Sequence, residues 1–264
     1  MFGLGGKIAL VTGGGGGLGR LFCETLAESG ADVALMDLDA EGAEATAELV
    51  RSHGRTALAI KGNVNDPADV ARMVEETDAR FGRISVLVNN AGINVKPARI
   101  ADTPIEDWDE AIGVNLRGVF LCTRACLPVM VREGKGNVIN IASILGVRPF
   151  PEVGALMPNF PYGVSKAGVI RLTKEIAVQY AADGVRANCV APGWHMGTNL
   201  SARWRETSWG SDEHRTYEEA ITRVTPMARR GESSELKGLL IYLASDASSF
   251  MTGQVLISDG GICL

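Results

Sequence analysis

Thr12-Gly13-Gly14-Gly15-Gly16-Gly17-Leu18-Gly19 follows the short apolar run Ile8-Ala9-Leu10-Val11 and opens a segment with Leu18, Leu21, Phe22, Thr25 and Leu26 at helical spacing. Five consecutive glycines carry a large backbone-entropy cost inside a folded domain, so their presence implies that something approaches the main chain too closely for a Cβ. A strand, a glycine turn and a helix start bring unpaired N–H groups and the positive end of the helix dipole to one spot. That spot is an anion site, and a dinucleotide pyrophosphate fits it. The spacing is Gly-x-x-x-Gly-x-Gly rather than Gly-x-Gly-x-x-Gly, so in isolation the stretch also reads as an ordinary flexible turn.

Working outward, Ser29-Gly30 ends the first helix and Val33-Ala34-Leu35-Met36 reads as a second strand, closing a βαβ opening. Asp37 stands directly after it, where a carboxylate accepts hydrogen bonds from the ribose hydroxyls of an adenosine and repels a 2′-phosphate. No Lys or Arg lies between Gly13 and Gly19 or immediately after Asp37, so the sequence favours NAD over NADP. Helix and strand keep alternating: a helix over about Ala40 to His53, a strand at Thr56-Ala57-Leu58-Ala59-Ile60, a helix capped by Asn65-Asp66-Pro67, and a strand at Val86-Leu87-Val88. Asn89-Asn90-Ala91-Gly92 then offers an amide pair that can knit adjoining strand ends and leave room for a ribose. A long helical stretch from about Ile105 to Arg132 carries Asn115, a polar residue among apolar neighbours that needs a buried partner. Asn137-Val138-Ile139-Asn140-Ile141 is a central strand, and Ser143 at its carboxyl end faces the ligand crevice of a doubly wound sheet. Tyr162 and Lys166 are four apart and share one helix face, where an ammonium is expected to favour the phenolate and bring a poor base into useful range.

The 264 residues suit one large α/β domain, with no linker, repeat or low-complexity tail. A net charge of −5 without a basic run argues against nucleic acid and anionic membranes as partners. The N-terminal residues lack a cationic region followed by an apolar core, and no later stretch is read as long enough to span a bilayer, so cytoplasmic residence is expected. Cys23, Cys122, Cys126, Cys189 and Cys263, odd in number and set in apolar segments, read as free thiols rather than metal ligands, and no metal is expected.

Thr12-Gly13-x-x-x-Gly17-x-Gly19, Asp37, Asn89-Asn90-Ala91-Gly92, Asn115, Ser143, Tyr162-x-x-x-Lys166 and Pro192-Gly193 stand in the order shown by classical short-chain dehydrogenases/reductases, which this chain resembles over nearly its whole length. The resemblance implies a single Rossmann-type domain with a doubly wound sheet of seven parallel strands, and a homotetramer. It gives Tyr162 the proton exchange with the substrate oxygen, Lys166 the lowering of its pKa and a bond to the nicotinamide ribose, Ser143 the substrate oxygen, and Asn115 a water of the proton relay. It places NAD against Gly13, Gly16, Gly17, Leu18, Gly19, Asp37, Leu38, Asn63, Val64, Asn90, Ala91, Gly92, Tyr162, Lys166, Pro192, Gly193 and Thr198.

Three places depart from the family pattern. Ser143 and Tyr162 are nineteen residues apart, farther than in most relatives, and the surplus over about Arg148 to Pro161 holds four prolines. Such a stiff, apolar insertion suits a wall of the substrate pocket or a packing surface against a neighbouring subunit. Gly197 stands where relatives often carry a threonine that bonds the nicotinamide amide, with Thr198 one later, and Asn63 replaces the usual aspartate beside the adenine. The stretch from Trp194 to about Pro226, a substrate lid by resemblance, holds Trp194, Trp204, Trp209, His195 and His214. Its aromatic residues suit a ring or sugar face, and Lys96, Arg148, His195 or Arg203 can meet an anion or hydroxyls. The combined reading is an NAD-dependent dehydrogenase/reductase of a secondary alcohol, with overall pattern like gluconate 5-dehydrogenase and polyol dehydrogenases. A 3-oxoacyl-thioester reductase, a hydroxysteroid or alicyclic alcohol dehydrogenase, and a catalytically silent NAD-binding sensor or scaffold are the alternatives.

Overall fold

The computed structural model describes residues 2–154, 156, 158–198, 200 and 212–264. Its strands are β1 (Ile8–Thr12), β2 (Asp32–Asp37), β3 (Ala57–Lys61), β4 (Val86–Asn89), β5 (Gly136–Ile141), β6 (Val185–Pro192) and β7 (Val255–Ser258). All pair in parallel, in the order β3-β2-β1-β4-β5-β6-β7. The central strands β1, β4 and β5 are buried along their whole length, which is why they read as near-continuous apolar runs. The chain runs outward from β1 to β3 and then returns to place β4 on the other side of β1. This reversal opens a crevice beyond the carboxyl ends of β1 and β4, where ligands of such sheets bind.

Helices cover both faces. Alternate strand residues face opposite layers: Val11, Leu35 and Val88 pack on α1 (Gly17–Glu28), α2 (Ala40–Ser52) and the later helix Lys237–Ala244, through Phe22, Leu26, Val50, Leu240 and Leu243. Leu10, Met36 and Leu87 pack on α3 (Pro67–Phe81), α5 (Gly118–Arg132) and α7 (Phe160–Tyr180), through Met73, Cys122, Met130 and Ile176. Local chemistry fixes the ends: Asp39 accepts from the N–H groups of Glu41 and Gly42 at the start of α2, and Asp66 with Pro67 starts α3, which Gly82 ends at φ +76°. All five cysteines are free thiols.

One expectation changes. The stretch Ile105–Arg132 runs as α4 (Ile105–Ile112), a π-turn over Gly113–Arg117, and α5; its 28 residues are long and apolar enough, by length and composition, to cross a membrane. The sequence reading had no such stretch. Here its apolar side, including Val119, Cys122 and Cys126, is spent on the sheet. The insertion is packed, in keeping with its stiff composition. It forms α6 (Pro151–Gly154), and Phe150 and Val153 pack with Ala220 and Ile221 of α8 (Asp212–Val224) and with Ile262.

A buried polar chain ties the middle of the sheet to its helices. Asn89 donates to Thr123 of α5 at 3.0 Å and to Asn140 of β5 at 2.8 Å, and Asn140 donates to Thr173 of α7 at 2.9 Å. Asn140→Ala removes two of these bonds and leaves buried partners short, so it is expected to cost about 1–3 kcal/mol. Urea unfolding measures it; a midpoint equal to wild type contradicts the role given to this chain.

Candidate active site

The glycine loop needs its glycines for two separate reasons. Gly13 and Gly17 sit at φ +65° and +50°, in the left-handed region, and a Cβ on Gly19 would lie 1.8 Å from the Gly13 carbonyl oxygen. Backbone thus packs on backbone at the first turn of α1, whose Gly16 N-cap offers no side-chain acceptor, so the early N–H groups stay available to an anion. Asp37 is locked at the end of β2: one carboxylate oxygen accepts from Gly15 N–H at 2.8 Å and the other from Asp39 N–H at 3.0 Å. Asn90 donates to the Thr12 and Gly13 carbonyls, both at 3.0 Å, and so knits β4 to β1 as its position in the sequence implies. The Asn63 side-chain amide oxygen accepts from Asn65 N–H at 2.9 Å, leaving the side-chain NH₂ end for a ligand.

Ser143 follows β5, and Tyr162 and Lys166 lie on α7. Their meeting depends on Gly146: a Cβ there would sit 2.5 Å from the Lys166 carbonyl carbon, so the loop after Ser143 rests directly on the helix backbone. Lys166 Nζ donates to the Ile141 carbonyl at 2.8 Å and stands 5.6 Å from the centre of the Tyr162 ring. Both residues are buried. Burial disfavours the ammonium and brings Lys166 down to about 8. Tyr162 departs from expectation. Burial pushes its phenol up to about 12, opposed only by a hydrogen bond with Ser143, because the ammonium is turned to the Ile141 carbonyl. At neutral pH Tyr162 is therefore a phenol, the form that gives a proton.

Asn115 finds the buried partner it needed: its side chain accepts from Ile93 N–H at 2.8 Å and donates to the Ile93 carbonyl at 2.9 Å and to Ser165 at 3.2 Å. These bonds use both amide hydrogens and one lone pair of the amide oxygen, and they hold the loop after β4. Asn115 sits in the π-turn, a rare helix interruption concentrated at functional sites.

One cleft of about 940 Å³ runs from the glycine loop to the inner face of α8. Gly13, Gly16, Gly17, Leu18, Gly19, Asp37, Leu38, Asn63, Val64, Asn90, Ala91 and Gly92 line one end, and Ser143, Tyr162, Lys166, Pro192, Gly193 and Thr198 the other. Asn115 lies behind the wall. Among the described residues, His195 alone of the expected substrate residues lines the cleft. Lys96 and Arg148 are exposed and absent from its lining, Arg148 lying 5.0 Å over the Phe150 ring, and Arg203 falls outside the described residues, as do Trp204 and Trp209. The insertion contributes Pro149, Phe150, Val153, Pro158 and Asn159 to the lining of the cleft. Sequence reasoning missed Tyr217, Glu218 and Arg230 on the far wall. The spacing of His214 and Glu218, four apart on α8, was the one local signal available.

A family model described as enoyl-(acyl carrier protein) reductase matches residues 14–263. A 3-oxoacyl-(acyl-carrier-protein) reductase of Staphylococcus aureus is 36% identical over 257 residues, covering 97% of this chain and 98% of that protein. Among solved structures, a levodione reductase superposes with a TM-score of 0.90 at 34% identity over 98% of each chain. A gluconate 5-dehydrogenase of Burkholderia cenocepacia, in complex with NADP and tartrate, does so with a TM-score of 0.88 at 34% identity, covering 99% of this chain and 97% of that one.

The buried ammonium has a direct test. In protein labelled with [13Cε]lysine, one resonance is expected to titrate with a midpoint near 8 and to be missing from Lys166→Met. Because the unfolded chain keeps its proton up to about pH 10.4, the folded state is penalised below pH 8 and relieved as pH rises, so Lys166→Met also melts higher at neutral pH. A set of lysines all titrating in the ordinary range contradicts the burial.

Proposed function

The chain belongs to the short-chain dehydrogenase/reductase family, and on that footing we propose that it is an NAD-dependent oxidoreductase interconverting a secondary alcohol and its ketone. The observation that carries this reading is the convergence of Ser143, Tyr162 and Lys166 on the same cleft as the glycine loop. The residues present suit a dinucleotide: glycines where a Cβ would collide with backbone, an uncapped helix start for the pyrophosphate, and a fixed carboxylate at the ribose position. When bound, the nicotinamide supplies the hydride acceptor or donor.

This chain's own residues handle the proton. In ketone reduction Tyr162 gives its phenolic proton to the carbonyl oxygen and becomes the phenolate; in alcohol oxidation the phenolate takes the hydroxyl proton and becomes the phenol again. Ser143 steadies the substrate oxygen beside Tyr162, and Lys166 would hold the nicotinamide ribose. A 3-oxoacyl-thioester reductase is the second reading, favoured by the apolar side of the cleft from Ile144, Phe150 and Val153. Cytoplasmic residence and a homotetramer belong to the same proposal; exposed Phe120 on α5 and Val164 and Val178 on α7 support association.

Tyr162→Phe is expected to lower kcat by at least about 10³-fold while the dissociation constant for NADH, followed by fluorescence, stays within about threefold. Turnover near wild type removes Tyr162 from the chemistry, and loss of both properties makes it structural. NAD is expected to be preferred because Asp37, held by two N–H groups, cannot swing away from a 2′-phosphate. Steady-state kinetics with both cofactors should favour NAD, and Asp37→Ser should narrow the ratio about tenfold, the effect of roughly 1.4 kcal/mol of repulsion. A wild-type preference for NADP overturns this assignment.

A further inference from the structure

The wall of the cleft formed by α8 and the segment after it carries an ion pair that the proton chemistry does not use. Arg230 donates to Glu218 at 2.7 Å and to the His195 carbonyl at 3.3 Å, while its Nε is buried with no partner among the described residues. Both side chains line the cleft, at 19% and 29% exposure. Beside them Trp194 Nε1 donates to the Tyr217 hydroxyl at 3.1 Å, and Trp194 meets the Phe150 ring edge-on at 5.3 Å. Aromatic bodies and a charge pair thus share one wall.

We propose that Glu218 and Arg230 form a subsite for a vicinal diol, so that the substrate is an uncharged polyol, linear or cyclic. This rests on the dehydrogenase reading above and names its substrate class. A hydroxyl group both donates and accepts. A carboxylate only accepts and a guanidinium only donates, so the adjacent pair serves two neighbouring hydroxyls in both senses. An anionic substrate meets a guanidinium already neutralised by Glu218, together with the repulsion of that carboxylate. An acyl chain strips water from the ion pair and returns no hydrogen bonds. A polyol keeps the pair hydrogen-bonded and lays its C–H faces on Trp194 and Tyr217.

Binding separates this proposal from the catalytic reading. With NADH present, wild-type protein is titrated with cis-cyclohexane-1,2-diol, cyclohexanol and gluconate by ligand-observed NMR, and the same alcohols are assayed for turnover with NAD. The diol is expected to bind about tenfold or more tightly than cyclohexanol, with that ratio falling toward one in Glu218→Gln and in Arg230→Lys. Equal binding of diol and mono-alcohol to the wild type overturns the subsite, as does gluconate binding that exceeds the diol and strengthens in Glu218→Gln. Diol-selective binding without turnover of either alcohol supports the subsite and counts against the dehydrogenase reading alone.

Discussion

An ammonium held at the dry carboxyl end of a parallel sheet is the constraint on which the site rests. Lys166 is kept there by one carbonyl, that of Ile141, and by close seating of the Ser143 loop on α7, which Gly146 permits. Burial penalises the charge, so the arrangement lasts only because the surrounding frame is over-determined. The frame is polar as well as apolar: Asn89, Asn140, Thr123 and Thr173 fasten β4 and β5 to the helices behind them, and Asn115 ties the loop after β4 to Ser165, next to Lys166.

The same burial decides the resting state of Tyr162. A phenol on the surface near a lysine is drawn toward its ionised form. Enclosed with its ammonium turned to a backbone carbonyl, it stays protonated and needs Ser143 to soften the effect. Spacing of four on a helix reveals that the two side chains share a face, but which partner the ammonium faces is a tertiary fact. The sequence alone therefore identified the pair, whereas the burial that raises the phenol is set by tertiary packing.

Elsewhere, legibility follows the range of the interaction. The strand, glycine turn and helix start, the carboxylate closing β2, and the asparagines closing β4 are local patterns, and each stands where the sequence places it. Cleft-facing charges are a different matter. Lys96 and Arg148 lie near the site in sequence and point to its outside, whereas Arg230 reaches it through contacts with Glu218 and His195, residues distant along the chain. No periodicity encodes such a meeting. The π-turn at Asn115 is likewise invisible to a helical pattern that continues unbroken on both sides. The insertion was legible as stiff, and only its packing on α8 through Phe150 and Val153 made it a wall.

The most direct test is a crystal structure of the protein with NAD bound. The account predicts the pyrophosphate on the start of α1, the adenosine ribose on Asp37, and the nicotinamide beside Tyr162 with its ribose within hydrogen-bonding reach of Lys166 Nζ. A dinucleotide whose nicotinamide lies away from Tyr162 and Lys166 would contradict it.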